Sequence, residues 1–250
     1  MNTLATLLEA FRAGRRAALA RAMSIVEDGR PECDALLAEL NAMVAELRAD
    51  GTLADMEKRW FKPDLSPYEE LKIDLPAEGT PLRIGCSATR EPFNFVDENG
   101  RVTGHDGELA RLIAAKLKRP VEFSNMKFMA LIPALQSGKV DLIITGMAPT
   151  EERKKSIDFS ISYFSNSQVM LTRKPAGTGS SAAAQTKMVS PADLKDKRIG
   201  VVLGTAHERY VTKTYPNATV LQYRGFEDTF LALKTGKIDA LLSDEEPLRD

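Results

Sequence analysis

Two groups of charged residues in this 250-residue chain are placed to bind a small zwitterion. Arg153 stands in the first turn of a predicted helix that starts at Thr150, where backbone amides can donate to an anion. Asp244, Glu245 and Glu246 follow a predicted strand and offer carboxylates to a cation. Both groups lie in loops after strands, and open α/β sheets bind their ligands beyond the carboxyl ends of the strands. The pattern favours a site for a molecule that carries both charges.

The same side chains also have structural interpretations. Arg153 lies next to two acidic residues and could be a solvated surface charge of little energetic value. Asp244 could cap a helix that follows it. Phe128, at helical spacing from Leu131 and Leu135, would by default be a core residue. The residue types alone leave binding roles and structural roles open.

Composition and spacing argue against several other classes of protein. The 34 Lys and Arg residues nearly balance the 35 Asp and Glu residues, so no basic excess indicates nucleic-acid binding. No apolar run approaches the ~18 residues that cross a membrane. His105 and His207 have no partner at metal-ligand spacing. Cys33 and Cys86 are predicted to be small buried hydrophobic residues. We expect an ordinary globular protein without a metal or cofactor.

The first third of the chain has a helical pattern. Apolar residues recur at helical spacing over residues 3–49, with a break near Gly29 and Pro31, and a shorter helix is predicted over 53–61. Residues 62–80 contain three prolines and no clear period, which is typical of a surface linker.

From residue 81 onward, short apolar runs alternate with helices, which predicts parallel sheets covered by helices. In the first part we predict strands over 82–88, 121–123 and 141–145, and helices over 107–118 and 130–136. A polar stretch over 174–191 follows and is predicted to be flexible. In the second part we predict strands over 198–203 and 238–242, and helices from Ala206 and over 228–234.

An internal repeat links these two parts. The sequence ALQSGKVDLII at 134–144 returns as ALKTGKIDALL at 232–242, and Arg-Ile-Gly precedes both, at 83–85 and 198–200. In each copy a glycine can end the helix in a left-handed conformation, and an aspartate leads into a buried strand. The repeat predicts two lobes built on one βαβ plan. Convergent helix-ending sequence is the alternative.

Residues 81–250 resemble the family-3 bacterial extracellular solute-binding proteins, which serve polar amino-acid ABC importers. The segments LIPALQSGKVD and TEERKKSIDFS carry most of the resemblance. It implies a two-lobed, periplasmic-binding-protein-like (type II) α/β fold that closes on an amino acid without catalysis. The implied partner is an ABC transporter permease. The implied location is the periplasm, although charge scattered through residues 1–23 argues against a signal peptide.

The resemblance assigns site residues by motif position. Arg153 would hold the ligand α-carboxylate through a bidentate pair, and Asp244 would accept from the α-ammonium group. Phe128 would lie against the ligand side chain. Backbone amides near three further residues would complete the carboxylate site: Met147, Ala148 and Ala206. Thr205 is also expected to bind the ligand.

Two departures from the family pattern bear on the choice of ligand. Arg90 stands where the family often has an aromatic residue, and Ser87 where an acidic residue meets basic ligands. Together they favour a polar or acidic amino acid over lysine, arginine or histidine.

The order of the segments departs from the family as well. Residues 33–61 resemble the family's C-terminal helices but precede the first lobe, and the chain stops before the strand that should return to that lobe. We therefore expect a slice of a tandem protein or a fusion, with an incomplete second lobe. The expected divisions are a helical extension at 1–61, a linker at 62–80, lobe 1 at 81–173, a flexible connection at 174–191 and a partial lobe 2 at 192–250.

Residues 1–31 are similar to the leader helix of the GTPase family associated with methylmalonyl-CoA mutase. The chain lacks the Gly-x-x-x-x-Gly-Lys-Ser/Thr loop with which such an enzyme binds phosphate. No GTPase activity is expected.

Two other functions fit the resemblance. One is a sensory ligand-binding module of a signalling receptor. The other is an enzyme similar to cyclohexadienyl dehydratase, for which His207, Glu245 or Glu246 could supply the general acid.

Overall fold

A computed structural model of the chain describes residues 31–61, 67–165, 167–173 and 191–244. The chain divides into two compact units, of which the first ends at Ser165 and the second begins at residue 166. The predicted leader-like segment over 1–30 lies outside the described residues, as does the predicted flexible connection apart from Pro191.

The first unit contains two helices followed by a three-stranded parallel sheet. Its elements are α1 (Pro31–Ala49), α2 (Thr52–Trp60), β1 (Leu82–Cys86), β2 (Phe95–Val96), β3 (Val102–Thr103), α3 (His105–Lys116), β4 (Val121–Asn125), α4 (Leu131–Gln136) and β5 (Leu142–Ile143). The sheet has the order β4-β1-β5, and β2 and β3 form a separate antiparallel pair. Single 3₁₀ turns occupy Phe128–Ala130 and Arg153–Lys155. Residues 67–81 form neither helix nor strand.

The N-terminal helices belong to the core of the first unit. Buried side chains of α1 and α2 join those of β1 and α3 in one apolar cluster, to which the two helices contribute Val44, Leu47, Leu53, Met56 and Trp60. Burial of an amphipathic face against the sheet stabilises both helices. The described residues of the expected helical extension thus share a core with the expected first lobe.

Glu108 joins α2 to α3 by hydrogen bonds. Its fully buried carboxylate accepts from both terminal nitrogens of Arg59, at 2.8 and 2.6 Å, and from Trp60 Nε1 at 2.9 Å. The Leu71 N–H donates to the same carboxylate at 3.3 Å. Burial by itself would raise the pKa of Glu108, but these donors outweigh it and lower the pKa below its ordinary value.

The second unit is built around a four-stranded sheet. Its elements are β6 (Gln168–Thr172), β7 (Arg198–Val202), α5 (Ala206–Thr214), β8 (Thr219–Tyr223), α6 (Phe226–Lys234) and β9 (Ala240–Asp244). The strand order is β6-β9-β7-β8, in which β6 alone is antiparallel to its neighbour. We expected the first lobe to run to residue 173. Because β6 pairs along its whole length with β9, the division instead falls before β6.

The internal repeat is also a repeat of structure. Asp141 N–H donates to the Arg83 carbonyl at 2.8 Å, and Asp239 N–H donates to the Arg198 carbonyl at 2.8 Å. In return, each arginine N–H donates to the aspartate carboxylate, at 2.9 and 3.0 Å, and each guanidinium pairs with that carboxylate. The same set of bonds thus joins β1 to β5 in the first unit and β7 to β9 in the second unit.

Glycines in the repeat are required by conformation and by close packing. Gly138 and Gly236 end α4 and α6 with φ angles of 69° and 77°, where glycine is favoured. In β7, a Cβ on Gly200 would overlap the Ile238 side chain, and in β1 a Cβ on Gly85 would approach Leu131 and Val140 at 3.2 Å. The Arg-Ile-Gly motif thus places glycine where a helix or loop lies directly against the central strand.

Candidate functional site

Arg153 is held inside the first unit, at the end of the loop that follows β5. Arg153 is only 4 % exposed. The Nη1 atom donates to the Ala148 carbonyl at 2.9 Å, and the Arg153 N–H donates to Thr150 Oγ1 at 3.3 Å. The alternative that Arg153 is a solvated surface charge is therefore wrong.

Phe128 lies next to Arg153, although a β-strand and a helix separate them in the sequence. The guanidinium carbon is 5.1 Å from the centroid of the Phe128 ring, within the range of a cation–π contact. Phe128 is half-buried and lies outside the buried apolar clusters of the described residues. The default assignment of Phe128 to the core is wrong, because its ring faces a cation.

The loop that follows β1 contacts the loop that follows β5. Ser87 N–H donates to Thr145 Oγ1 at 3.1 Å. The Arg90 guanidinium carbon lies 3.9 Å from the centroid of the Phe93 ring, and a Cβ on Gly146 would meet Arg90 at 3.1 Å. The structure therefore brings Ser87 and Arg90 to the segment that contains Met147 and Ala148.

Met147 and Ala148 differ in their surroundings. Met147 is half-buried and Ala148 is exposed. Ala148 meets Arg153 through its carbonyl oxygen. The role expected for the backbone amides of these two residues stays a prediction.

In the second unit, Thr205 and Ala206 form the start of α5. Thr205 is the N-cap residue, and its Oγ1 accepts from Glu208 N–H at 3.3 Å and donates to the Val202 carbonyl at 2.7 Å. Ala206 is the first residue of the helix. The N-cap explains why α5 begins here, and the first-turn amides of a helix can bind an anion.

Asp244, the last residue of β9, lies beside a histidine of α5. Its Oδ1 is 3.3 Å from His207 Nε2, and both side chains are largely buried. No local pattern indicates this pairing, because these residues are far apart in the chain and only the packing of α5 against β9 brings them together. Glu245, Glu246 and the helix that Asp244 could cap lie outside the described residues.

His105 is fully buried, and its Nδ1 is 3.1 Å from Asp106 Oδ1. Among the described residues, no group of three His, Cys, Asp or Glu side chains could hold a metal ion. Burial raises the pKa of the Cys86 thiol to about 12, so this cysteine is unreactive near neutral pH. The side chain of Cys33 lies outside those that the structure describes.

Helices of the described segments are too short or too polar to cross a membrane.

Comparison with known proteins gives a family and several relatives. Residues 82–218 match the model of the bacterial extracellular solute-binding proteins, family 3. The chain is 33 % identical over 163 residues to the ABC transporter arginine-binding protein 1 of Escherichia coli (strain K12), covering 65 % of this chain and 63 % of that protein. It is 36 % identical over 165 residues to a probable histidine-binding protein of Campylobacter jejuni, covering 66 % of this chain and 60 % of that protein.

A solved structure, that of an ancestral arginine-binding protein bound to arginine, matches with a TM-score of 0.59 and 43 % identity. The match covers 66 % of this chain and 70 % of that one. The chain spans about three fifths of the length of the two curated relatives.

These relatives correct one expectation from the sequence. We expected Arg90 and Ser87 to disfavour basic ligands, but the relatives bear the names of arginine- and histidine-binding proteins. In the structure, the Arg90 guanidinium lies on the Phe93 ring and against Gly146 within the first unit.

The family match extends over more than half of the chain, from β1 into the segment between α5 and β8. It agrees with the two units, each built on a parallel βαβ plan, and with the predicted two-lobed type II fold. The chain therefore belongs to the bacterial extracellular solute-binding proteins of family 3.

Proposed function

We propose that this protein binds an α-amino acid without changing it chemically and delivers it to an ABC importer. Arginine is the first ligand to test, because the relatives named above include arginine-binding proteins. The observation that carries the proposal is the fixed position of the Arg153 guanidinium, which lies beside Phe128 and contacts the Ala148 carbonyl.

Arg153 is proposed to hold the ligand α-carboxylate. A guanidinium can donate two parallel hydrogen bonds to a carboxylate, and such charge-assisted bonds are stronger than neutral ones. The low exposure of Arg153 further strengthens an ion pair there, because water screens buried charges less. Its contact with Ala148 fixes the orientation of the guanidinium before a ligand arrives.

The remaining groups are proposed to recognise the rest of the ligand. Asp244 accepts hydrogen bonds from the α-ammonium group, and the first amides of α5, at Thr205 and Ala206, contribute to the carboxylate site. Phe128 offers a ring to the ligand side chain, and an aromatic face attracts a cationic group such as guanidinium. Ser87 borders this side chain in the first unit.

The proposed location is the periplasm or outer face of the cell, and the proposed partner is an ABC transporter permease. The support for both is the family, whose members are extracellular by description, and the name of the Escherichia coli relative.

Calorimetric titration with a panel of amino acids tests the proposal. We expect saturable binding of one or a few amino acids, with arginine first, and loss of that binding in Arg153→Ala. Arg101→Ala serves as the matched control, since Arg101 is an exposed arginine of the same unit that pairs with Asp97. Circular dichroism verifies that both variants are folded.

The proposal is wrong if the folded wild-type protein binds none of the amino acids. Turnover of prephenate or arogenate, followed by product analysis, would instead establish the dehydratase alternative.

A further inference from the structure

A buried carboxylate lies beneath the two loops that contain the proposed ligand-binding residues of the first unit. Asp106, in the first turn of α3, is fully buried. Its Oδ2 accepts from Asn94 Nδ2 at 2.8 Å, and its Oδ1 faces His105 Nδ1 at 3.1 Å. The charge of Asp106 also acts on Tyr163, whose pKa it helps to raise.

Asn94 extends this network to both loops. Its Nδ2 lies 3.5 Å from the Ile144 carbonyl and 3.5 Å from Thr145 Oγ1. Thr145 Oγ1 in turn accepts from Ser87 N–H at 3.1 Å. One amide side chain thus joins Asp106 to the end of β5 and to the first residue after β1.

Tyr163 extends the network to the centre of the loop after β5. Gly146 N–H donates to the Tyr163 hydroxyl oxygen at 3.0 Å. Gly146 has a φ of 59°, a left-handed conformation, and the Arg90 guanidinium lies against its other side. Without the Tyr163 hydroxyl, the loop loses the side-chain acceptor of its Gly146 N–H.

We infer that Asp106 and Tyr163 are positioning residues that hold the Thr145–Ala148 loop, and hence the Ala148 carbonyl and Arg153, in the geometry needed for ligand binding. The inference rests on the proposed function for its ligand. Neither residue touches the proposed ligand groups Arg153 or Phe128 in the contacts described. Their effect passes through the backbone of Gly146 and the side chain of Thr145.

The direction of the hydrogen bond between Gly146 and Tyr163 follows from the chemistry of the two groups. Burial, followed by the charge of Asp106, raises the pKa of Tyr163 well above its ordinary value, so the hydroxyl keeps its proton. Its oxygen accepts from the Gly146 N–H through a lone pair. The Tyr163 hydroxyl therefore holds the loop at Gly146, and Asp106 holds it at Thr145 through Asn94.

Tyr163→Phe tests the inference because it removes one oxygen atom and leaves the ring in place. We expect amide hydrogen exchange at Gly146 to become about tenfold faster, and amino-acid affinity to fall about three- to tenfold, mainly through faster dissociation. The thermal midpoint should stay close to that of Tyr210→Phe, a matched control at an exposed tyrosine. Asp106→Asn, a second variant, should accelerate exchange at the same amide.

Unchanged exchange at Gly146 in Tyr163→Phe overturns the inference, and so does wild-type affinity in that variant. The exchange measurement requires no ligand, so it separates the two proposals. If the wild-type protein binds no amino acid, the proposed function and the role of the loop in binding both fail, while exchange still decides whether Tyr163 holds the loop.

Discussion

Arginine side chains show how much the role of a single residue depends on its surroundings. Arg153 and Arg90 come from neighbouring loops of the first unit, and each guanidinium lies near a phenylalanine ring, at 5.1 and 3.9 Å. Arg90 is packed against Gly146, whereas Arg153 ends the loop beside Phe128. The same residue type thus supports the backbone at one position and is proposed to bind the ligand at the other.

The paired Arg198 and Asp239 predict a specific dependence of stability on pH. The Arg198 guanidinium lowers the pKa of Asp239 from its ordinary value to about 2. Because the folded-state pKa is depressed, the pair stabilises the fold fully above the unfolded-state pKa of about 4 and loses that contribution as pH falls through about 2. In Asp239→Asn, the deficit in the free energy of unfolding should therefore be constant from pH 7 to 5 and shrink between pH 4 and 2.

Urea unfolding of the wild-type protein and Asp239→Asn at a series of pH values measures this deficit, with the exposed Asp196→Asn as control. A deficit that persists undiminished at pH 2 would contradict the role given to the pair.

At the scale of elements, the helices α1 and α2 are joined to α3 both by apolar packing and by Glu108. The side chains of Val44, Leu53 and Met56 supply the apolar contacts, and Arg59 with Trp60 supplies the donors to the carboxylate. We expected these helices to correspond to the C-terminal segment of the family, and that correspondence stays a prediction. In the structure they belong to the first unit.

Glu108→Gln should destabilise the first unit strongly. The substitution removes the buried charged partner of the Arg59 guanidinium and leaves it the exposed Asp55, and breaking a buried ion pair from one side costs about 3 kcal/mol or more. Asp55→Asn is the matched control, because Asp55 pairs with the same arginine from an exposed position and should contribute less than about 1 kcal/mol.

Denaturant unfolding followed by the fluorescence of Trp60, which is the one tryptophan of the chain, reports on this region directly. Equal losses of stability in the two variants would show that burial does not distinguish the two carboxylates.

At the scale of the whole molecule, each of the two units contains one of the charged residues proposed to bind the ligand. The first unit contributes Arg153 and the second Asp244, which lies at the end of β9 beside His207. The affinity for a ligand that needs both charges should fall when either residue is changed.

Asp244→Asn should weaken amino-acid binding by about 30-fold or more, because truncating one partner of a desolvated charge pair typically costs at least 2 kcal/mol. The same variant should bind a deaminated analogue of the ligand as the wild-type protein does, since that analogue lacks the ammonium group. Calorimetric titration of both ligands measures the difference, with Asp228→Asn as control. An equal loss for the two ligands would assign Asp244 a role other than binding the ammonium group.

Several elements could be predicted from the sequence because their signals are local. Both βαβ units were predicted from the apolar runs of β1, β7 and β9 and from the glycines that end α4 and α6. The repeated Arg-Ile-Gly and Gly-Lys-x-Asp segments predicted that the two units share one plan. The strands β2, β3, β6 and β8 were missed. They are short or have a mixed pattern, and their stability depends on pairing with strands elsewhere in the chain.

The sequence by itself determined the family, through its resemblance, and the parallel α/β plan, through short motifs and periodicity. The binding roles that the resemblance implies for Arg153 and Phe128 stay a prediction. Only the tertiary structure decided that Arg153 is buried beside Phe128, that the Tyr163 hydroxyl accepts from Gly146 N–H, and that α1 and α2 share the core of the first unit. Those contacts join segments that are distant along the chain. No local pattern of residues specifies such contacts, because they form only when helices and loops pack on the finished sheet.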